Sequence, residues 1–341
     1  MRIGIIGAPC IDEIVHLDDG TADHPVRHAV GGILYAHCAM ERMMREANNG
    51  DRFMALTWRS EQDRPLLDPT LASFRHIAPG TGLWPTDAPT NRVFLLYDQR
   101  GDRTANCPNV LPPLTERELT PELLSGLDAL LINMISGHDV SIDTLELVLG
   151  RACSPPFSPR SRGDERGARP YVHLDLHALV QADLSDEGKR ESELSGYGRE
   201  PRGVREWKRW LAMADSIQVN EVEARWFGDP EVTSEEELLD YVRNNRDELR
   251  LQSLIVTRAE HGATLYDTRR DESHHVPIPP LPVLEPTGSG DVFGAAYTFA
   301  IAMSTPPGDA LRQAVEWATW NATLDGIEKL LTAPRPVSSD E

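Results

Sequence analysis

Lysine is nearly missing: only Lys189, Lys208 and Lys329 occur in 341 residues, and arginine supplies the rest of the 34 basic side chains. GC-rich coding and a salt-rich cytoplasm each produce that skew. The basic set is outnumbered by 54 Asp and Glu, which leaves a formal net charge of −20. A chain this acidic has no general electrostatic grip on nucleic acid or on an anionic membrane, so its partners are expected to be small molecules or proteins. Cysteine is scarce as well. Cys10, Cys38, Cys107 and Cys153 lie far apart with no C-x-x-C pair, which excludes a disulfide framework or zinc knuckle and predicts buried thiols in a reducing compartment. No apolar run approaches the roughly 20 residues of a membrane span, and the opening MRIGIIG lacks the charged and long apolar parts of a signal peptide. These absences predict a cytoplasmic protein with no membrane partner. A Walker A loop is missing too, because the one Gly-Lys pair, Gly188-Lys189, is followed by Arg190 in a polar stretch.

What is present is enough apolar sequence, 40% of residues, to build one large α/β domain. Short β-branched or aliphatic runs at 2–7, 93–98, 129–134, 171–176, 216–219 and 253–257 read as strands, mostly separated by helix-like stretches. That alternation predicts a mainly parallel sheet with helices on its faces. Residues 31–46 read as a glycine turn and then an amphipathic helix, and 93–98 with the following Gln-Arg-Gly-Asp-Arg read as a hairpin. Two polar stretches, 154–169 and 184–204, break the pattern, and the first is expected to be an exposed, mobile loop. The tryptophans at 207, 210, 317 and 320 fall three apart in helical segments and are expected in the core or an interface. His274-His275 reads as a solvated loop pair.

The chemistry concentrates in residues 282–303, PVLEPTGSGDVFGAAYTFAIAM. A Gly-Ser-Gly turn opens directly into a small-and-apolar helical pattern. Gly288, Ser289 and Gly290 would then expose backbone N–H groups at a helix N-terminus, a corner that takes phosphate oxygens or developing negative charge. Asp291, at the start of that helix, suits a general base beside an anion hole. A bland alternative is a glycine turn capping a core helix. The spacing of Gly288, Gly290 and Gly294 is G-x-G-x-x-x-G, deep in the C-terminal third, so it does not fit a dinucleotide fingerprint.

EPTGSGDVFGAAY closely resembles the C-terminal signature of the ribokinase-like PfkB carbohydrate kinase family, D-[TP]-[TN]-G-A-G-D-x-F. Other landmarks follow in the family's order: Gly7 and Asp12, the pair Gly31-Gly32, the run TNRVFLLYDQRGDRT, Asn220-Glu-Val-Glu223, and Val256-Thr257 through Gly262-Ala263. The resemblance implies a three-layer α/β/α sandwich with a central mostly parallel sheet and a small β-sheet lid. It implies one kinase domain over 1–335, lid segments near 12–32 and 90–106, and a frayed tail at 336–341. It further implies ATP-dependent phosphorylation of a hydroxyl on a sugar or sugar-containing metabolite. Asp291 would be the base, and Gly288, Ser289 and Gly290 the anion hole. Asp12, Gly31 and Gly32 would hold the acceptor, while Thr257, Gly262 and Thr287 would lie beside the nucleotide. Asn220 and Glu223 would order Mg²⁺ through water, and Glu285 marks a position linked in some relatives to a monovalent cation such as K⁺. A homodimer through open lid edges is implied as well.

Four departures bear on the substrate more than on the reaction. Ala36, flanked by Tyr35 and His37, stands where the family has a sugar-binding asparagine. Glu285 replaces an aspartate and Ala259 a glycine, and in YVHLDLHAL only Asp175 matches the usual D-x-N-x-R. Tyr35 and the altered sugar contacts leave room for a nucleoside as acceptor, and a nucleotide- or sugar-binding regulator with little turnover is the rival outside catalysis. His173, Asp175 and His177 alternate on one strand, so a polar strand end facing a cleft is a better reading than a transition-metal set.

Overall fold

Every apolar run becomes a strand, all in one large sheet except the run at 93–97, which joins a smaller one. The computed structural model describes residues 1–16, 27–79, 82–97, 103–152, 169–176, 179, 204–228 and 230–335. The polar stretches at 154–168 and 184–203, residues 98–102 where the hairpin turn was expected, His177, Cys153 and residues 336–341 lie outside the described residues. The strands are β1 (Arg2–Ile6), β2 (Pro9–His16), β3 (Arg27–Gly32), β4 (Arg52–Ser60), β5 (Leu83–Thr86), β6 (Asn91–Tyr97), β7 (Arg103–Asn109), β8 (Ala129–Asn133), β9 (Tyr171–Asp175), β10 (Ser216–Asn220), β11 (Ser253–Thr257), β12 (Ala263–Asp267) and β13 (Glu272–Val276). The helices are α1 (Leu34–Ala47), α2 (Arg64–Leu71), α3 (Pro121–Ser125), α4 (Ile142–Ala152), α5 (Trp207–Met213), α6 (Glu221–Trp226), α7 (Glu235–Asn244), α8 (Ser289–Ala302), α9 (Pro307–Ala322) and α10 (Glu328–Thr332).

Nine strands form the main sheet in the order β13-β12-β11-β10-β9-β8-β1-β4-β5. It is parallel from β5 to β11 and turns antiparallel through β12 and β13. A separate four-stranded sheet runs β3-β2-β6-β7, with β2 and β6 parallel and the outer pairings antiparallel. His274 and His275 do not form a loop pair: they sit on β13, and His275 Nδ1 lies 3.1 Å from Thr264 Oγ1 of β12.

Strand periodicity splits the core into two layers. In β8, Leu130 and Ile132 point to one face of the sheet, and Ala129 and Leu131 point to the other. Both faces are covered, which is why these strands read as unbroken apolar runs rather than alternating ones. The first layer packs side chains of α3 through α7, including Trp207 and Trp210. The second packs α1, α8, α9 and α10, including Trp317 and Trp320, so all four of these tryptophans are core residues. Cys10, Cys38 and Cys107 are buried and unbridged. No helix among the described residues is long and apolar enough to cross a membrane.

One buried polar residue in the second layer stands out. His37 on α1 packs against Phe53 and Phe74, with ring centroids 5.8 and 6.2 Å away, and among the described residues neither of its ring nitrogens has a hydrogen-bond partner. Burial lowers its pKa to about 3, far below the value near 6.5 of an exposed histidine. Stability from keeping the ring neutral is fully present above pH 6.5 and drains as pH falls from there toward 3. His37→Leu should therefore lose less stability than wild type between pH 7 and pH 4.5, by an amount on the order of 2 kcal/mol in urea titrations. Equal losses in the two proteins would remove this account.

Candidate active site

Four neighbouring strands of the main sheet end in polar residues or deliver one to the same place: Asn133 on β8, Asp175 on β9, Asn220 on β10 and Thr257 on β11. The carboxyl ends of parallel strands are where an open α/β sheet leaves a crevice. Here the crevice is a cleft of 840 Å³. It is lined by Asp175, Asn220, Glu223 and the turn Gly288, Ser289, Gly290 and Asp291, together with apolar residues such as Ile278, Leu281, Val283, Val315 and Ala318.

The Gly-Ser-Gly turn begins α8, as its sequence implies. Gly288 is the N-cap, at φ 77° and ψ 0°, a left-handed conformation that favours glycine. A Cβ there would fall 2.2 Å from Cγ of Tyr35, so close approach of that ring forbids any side chain as well. Asp291 sits in the first turn, where the helix dipole favours a carboxylate. Asn133 Nδ2 donates to Asp291 Oδ1 at 2.6 Å from the end of β8. The turn itself is tied from two sides. Gln218 Nε2 donates to Gly290 O at 3.1 Å, and Asn321 Nδ2 donates to Thr287 O and to Ser289 Oγ, both at 3.1 Å. One part of the expected anion hole differs: the Ser289 N–H is spent inside the turn, donating to Pro286 O at 3.1 Å.

Asn220 and Glu223 form a reciprocal capping box at the start of α6. Asn220 Oδ1 accepts from the N–H groups of Val222 and Glu223, while Glu223 accepts from Asn220 N at 2.7 Å and from Asn220 Nδ2 at 2.6 Å. The polar helix start is thus real, and the same pair also lines the cleft. No cluster of three or more His, Cys, Asp or Glu suited to caging a metal occurs among the described residues. A hard ion that keeps most of its water fits this pair of oxygen donors better than a caged one would.

Glu285 and Thr287 close the loop before the turn. Glu285 Oε1 accepts from Thr287 N at 3.1 Å and from Thr287 Oγ1 at 2.5 Å, both residues are buried, and neither lines the cleft. Thr257 and Gly262 do line it. Between them Ala259 adopts φ 43°, so the chain keeps a left-handed corner without the glycine that suits it. His173 is no part of the cleft wall: it is fully buried beside Tyr297, bonded to Ser216 and Gln218, and burial lowers its pKa to about 4. Asp175 accepts from Gln218 Nε2 at 3.2 Å and does reach the cleft.

Asp12, Gly31 and Gly32 lie on the smaller sheet. Asp12 is buried, accepts from Cys10 Sγ at 3.0 Å, and its Oδ2 would lie 2.0 Å from a Cβ on Gly31, so glycine is what lets the carboxylate turn inward there. Burial pushes the Cys10 thiol well up, and Asp12 and, more weakly, Asp291 add to the push, so both carboxylates act on one thiol.

The family model described as pfkB family carbohydrate kinase matches residues 197–331, the stretch holding Asn220, Glu223, Thr257, Gly262 and the turn through Asp291. The C-terminal part of the chain therefore matches the PfkB family. The whole chain is similar in fold to a pyrophosphate-dependent kinase in the ribokinase family, in a sulfate complex, at 14% identity and a TM-score of 0.69 over 97% of this chain and 99% of that one. A ribokinase from Arabidopsis thaliana complexed with ribose and ATP gives 14% identity and a TM-score of 0.62 over 98% and 99% of the two chains. A cytidine kinase from Thermococcus kodakarensis is 28% identical over 79 residues, 21% of this chain and 28% of that protein's length.

Asn133, Gln218 and Asn321 did not emerge from the sequence as site residues. Asn133 is the one polar residue in an otherwise aliphatic strand, which was a signal; Gln218 and Asn321 carried none. Ala259 yields a test of the corner. Left-handed backbone costs an alanine roughly 1 kcal/mol, part of which glycine returns to chain entropy. Ala259→Gly is expected to raise stability by about 0.5 kcal/mol in denaturant titrations, and a loss of stability would mean the corner is not strained.

Proposed function

We propose that this protein transfers the terminal phosphoryl group of ATP to a hydroxyl of a sugar or sugar-containing metabolite. The single observation carrying the reading is Asp291, held by Asn133 at the mouth of a glycine turn where a helix N-terminus opens into the cleft. Phosphoryl transfer asks a protein for an aligned nucleophile and neutralised charge more than for covalent help. Asp291 accepts the proton of the acceptor hydroxyl. Gly288 and Gly290, with the positive end of α8, receive the charge that develops on the transferring oxygens. Asn220 and Glu223 hold the water shell of Mg²⁺, which when bound supplies the remaining charge neutralisation. Glu285 braces the loop beside the turn, and a K⁺ dependence routed through it is read from turnover in low and high KCl.

The donor is a nucleotide rather than pyrophosphate on this reading. Ile278, Leu281, Val283, Val315 and Ala318 give the cleft an apolar wall fit for a nucleobase, and pyrophosphate has no group to place there. The smaller sheet acts as the lid, and its edge strands β3 and β7 are the places where a second copy would pair, a matter for light scattering.

ADP release from Mg-ATP, across pentoses, hexoses, polyols and nucleosides with pyrophosphate as a control donor, tests the whole. Asp291→Asn should keep the fold and lower acceptor-dependent turnover by about 100-fold or more; unchanged turnover would sink the assignment. Asn133→Ala should act on the same step in a different way. Losing a donor to the ionised carboxylate makes Asp291 easier to protonate, so the acidic limb of kcat against pH should move to higher pH. A fall in kcat with no shift of that limb would leave Asn133 a merely structural residue.

A further inference from the structure

The acceptor proposed above has to fit between Asp12, which would anchor it, and Asp291, which would take its proton. A side chain already stands in that region. Tyr35 follows the Gly31-Gly32 pair as the second residue of α1 and is only 4% exposed. Its ring presses on the anion-hole turn: a Cβ on Gly288 would fall 2.2, 2.3 and 2.5 Å from Cγ, Cδ1 and Cδ2. Burial raises the pKa of its hydroxyl, and Asp12, Glu285 and Asp291 raise it further, in that order. The ring thus lies against the turn that leads into Asp291, on the helix that directly follows the Gly31-Gly32 pair. Asp12, on the far side, is itself buried and wedged against Gly31.

The sequence left room at Tyr35 and the altered sugar contacts for a base, but the ring is buried against Gly288 and occupies that room itself. We propose that Tyr35 is the specificity-determining residue of the acceptor side, filling the room a nucleobase would need and restricting the acceptor to a compact, uncharged monosaccharide or polyol. Charge follows from the same frame. A phosphorylated sugar held by Asp12 and presented to Asp291 would meet a like charge at each of its two contacts. The tyrosine hydroxyl is then a donor for one oxygen of the acceptor.

The inference rests on the kinase reading, and the experiment separates the two. Wild type, Tyr35→Ala, Tyr35→Leu and Tyr35→Phe are compared for kcat and KM with ribose, a hexose, a cyclic polyol, ribose 5-phosphate and cytidine, and for binding of the same compounds by calorimetry without donor. Wild type should favour its best neutral monosaccharide or polyol over cytidine and over ribose 5-phosphate by about 100-fold or more in kcat/KM. Tyr35→Ala should shrink the margin over cytidine at least tenfold, chiefly through KM for cytidine, while Tyr35→Phe keeps it. Tyr35→Leu carries the comparison if the alanine variant does not fold. A wild type that prefers cytidine or ribose 5-phosphate, or a folded small-side-chain variant with an unchanged margin, overturns the assignment. A wild type that phosphorylates cytidine as well as or better than any monosaccharide or polyol would keep the kinase and lose the size rule. Binding of a monosaccharide but not cytidine, with no phosphoryl transfer from any donor, would keep the size rule and lose the kinase. Binding of neither class overturns both.

Discussion

The first turn of α8 has to lie where it does because the rest of α8 is apolar on nearly every side. From Val292 to Ala300 the helix is buried almost without interruption, packed against α1, α9 and the strands β8 and β9. Fully burying side chains such as Phe293 and Tyr297 contributes roughly 1.5–3 kcal/mol each, and no rotation of the helix would keep that burial. Its polar end is thereby delivered to the carboxyl ends of β8 to β11 as a consequence of packing.

Everything polar around that turn is arranged to tolerate the burial. The glycine turn is held by Gln218 from the sheet and Asn321 from α9, so its backbone is satisfied away from the cleft while its other groups face into it. Gln218 in turn joins His173 and Asp175, making a row of hydrogen bonds across β9 and β10 that ends at the turn. Asn133 donates to the carboxylate of Asp291, a charge-assisted bond of the kind that fixes a base in direction as well as in protonation state. These groups come from positions 133, 218, 291 and 321, so the site is assembled from residues far apart in the chain.

Two of the departures from the family pattern gain a physical meaning in this setting. Ala259 keeps the left-handed corner that glycine would adopt without strain, so the loop's path is set by its neighbours, with Arg258 N donating to Gly262 O at 2.7 Å. Tyr35 and Gly288 are linked by contact: the ring can lie where it does only because the opposite residue lacks a side chain. A substitution at Tyr35 is thus felt at the glycine turn.

Much of this was legible in the residues themselves. The strand runs gave the sheet, because a parallel sheet buried on both faces demands continuous aliphatic sequence, and Gly288 to Asp291 stood out because only a turn at a helix N-terminus uses glycines in that way. The polar start at Asn220 and Glu223 was readable from its spacing, since a capping box is a local device closed within four residues. Asn133, Gln218 and Asn321 were not, because their roles depend on partners 158, 72 and 32 residues away. The sequence by itself determined the elements and the chemistry of the local turn, which are governed by propensity and short-range hydrogen bonds. Only the tertiary structure decided that His173 is a core residue, that Ser289 spends its N–H inside the loop, and that Tyr35 presses on Gly288. Those depend on which surfaces meet when the two apolar layers close on the sheet.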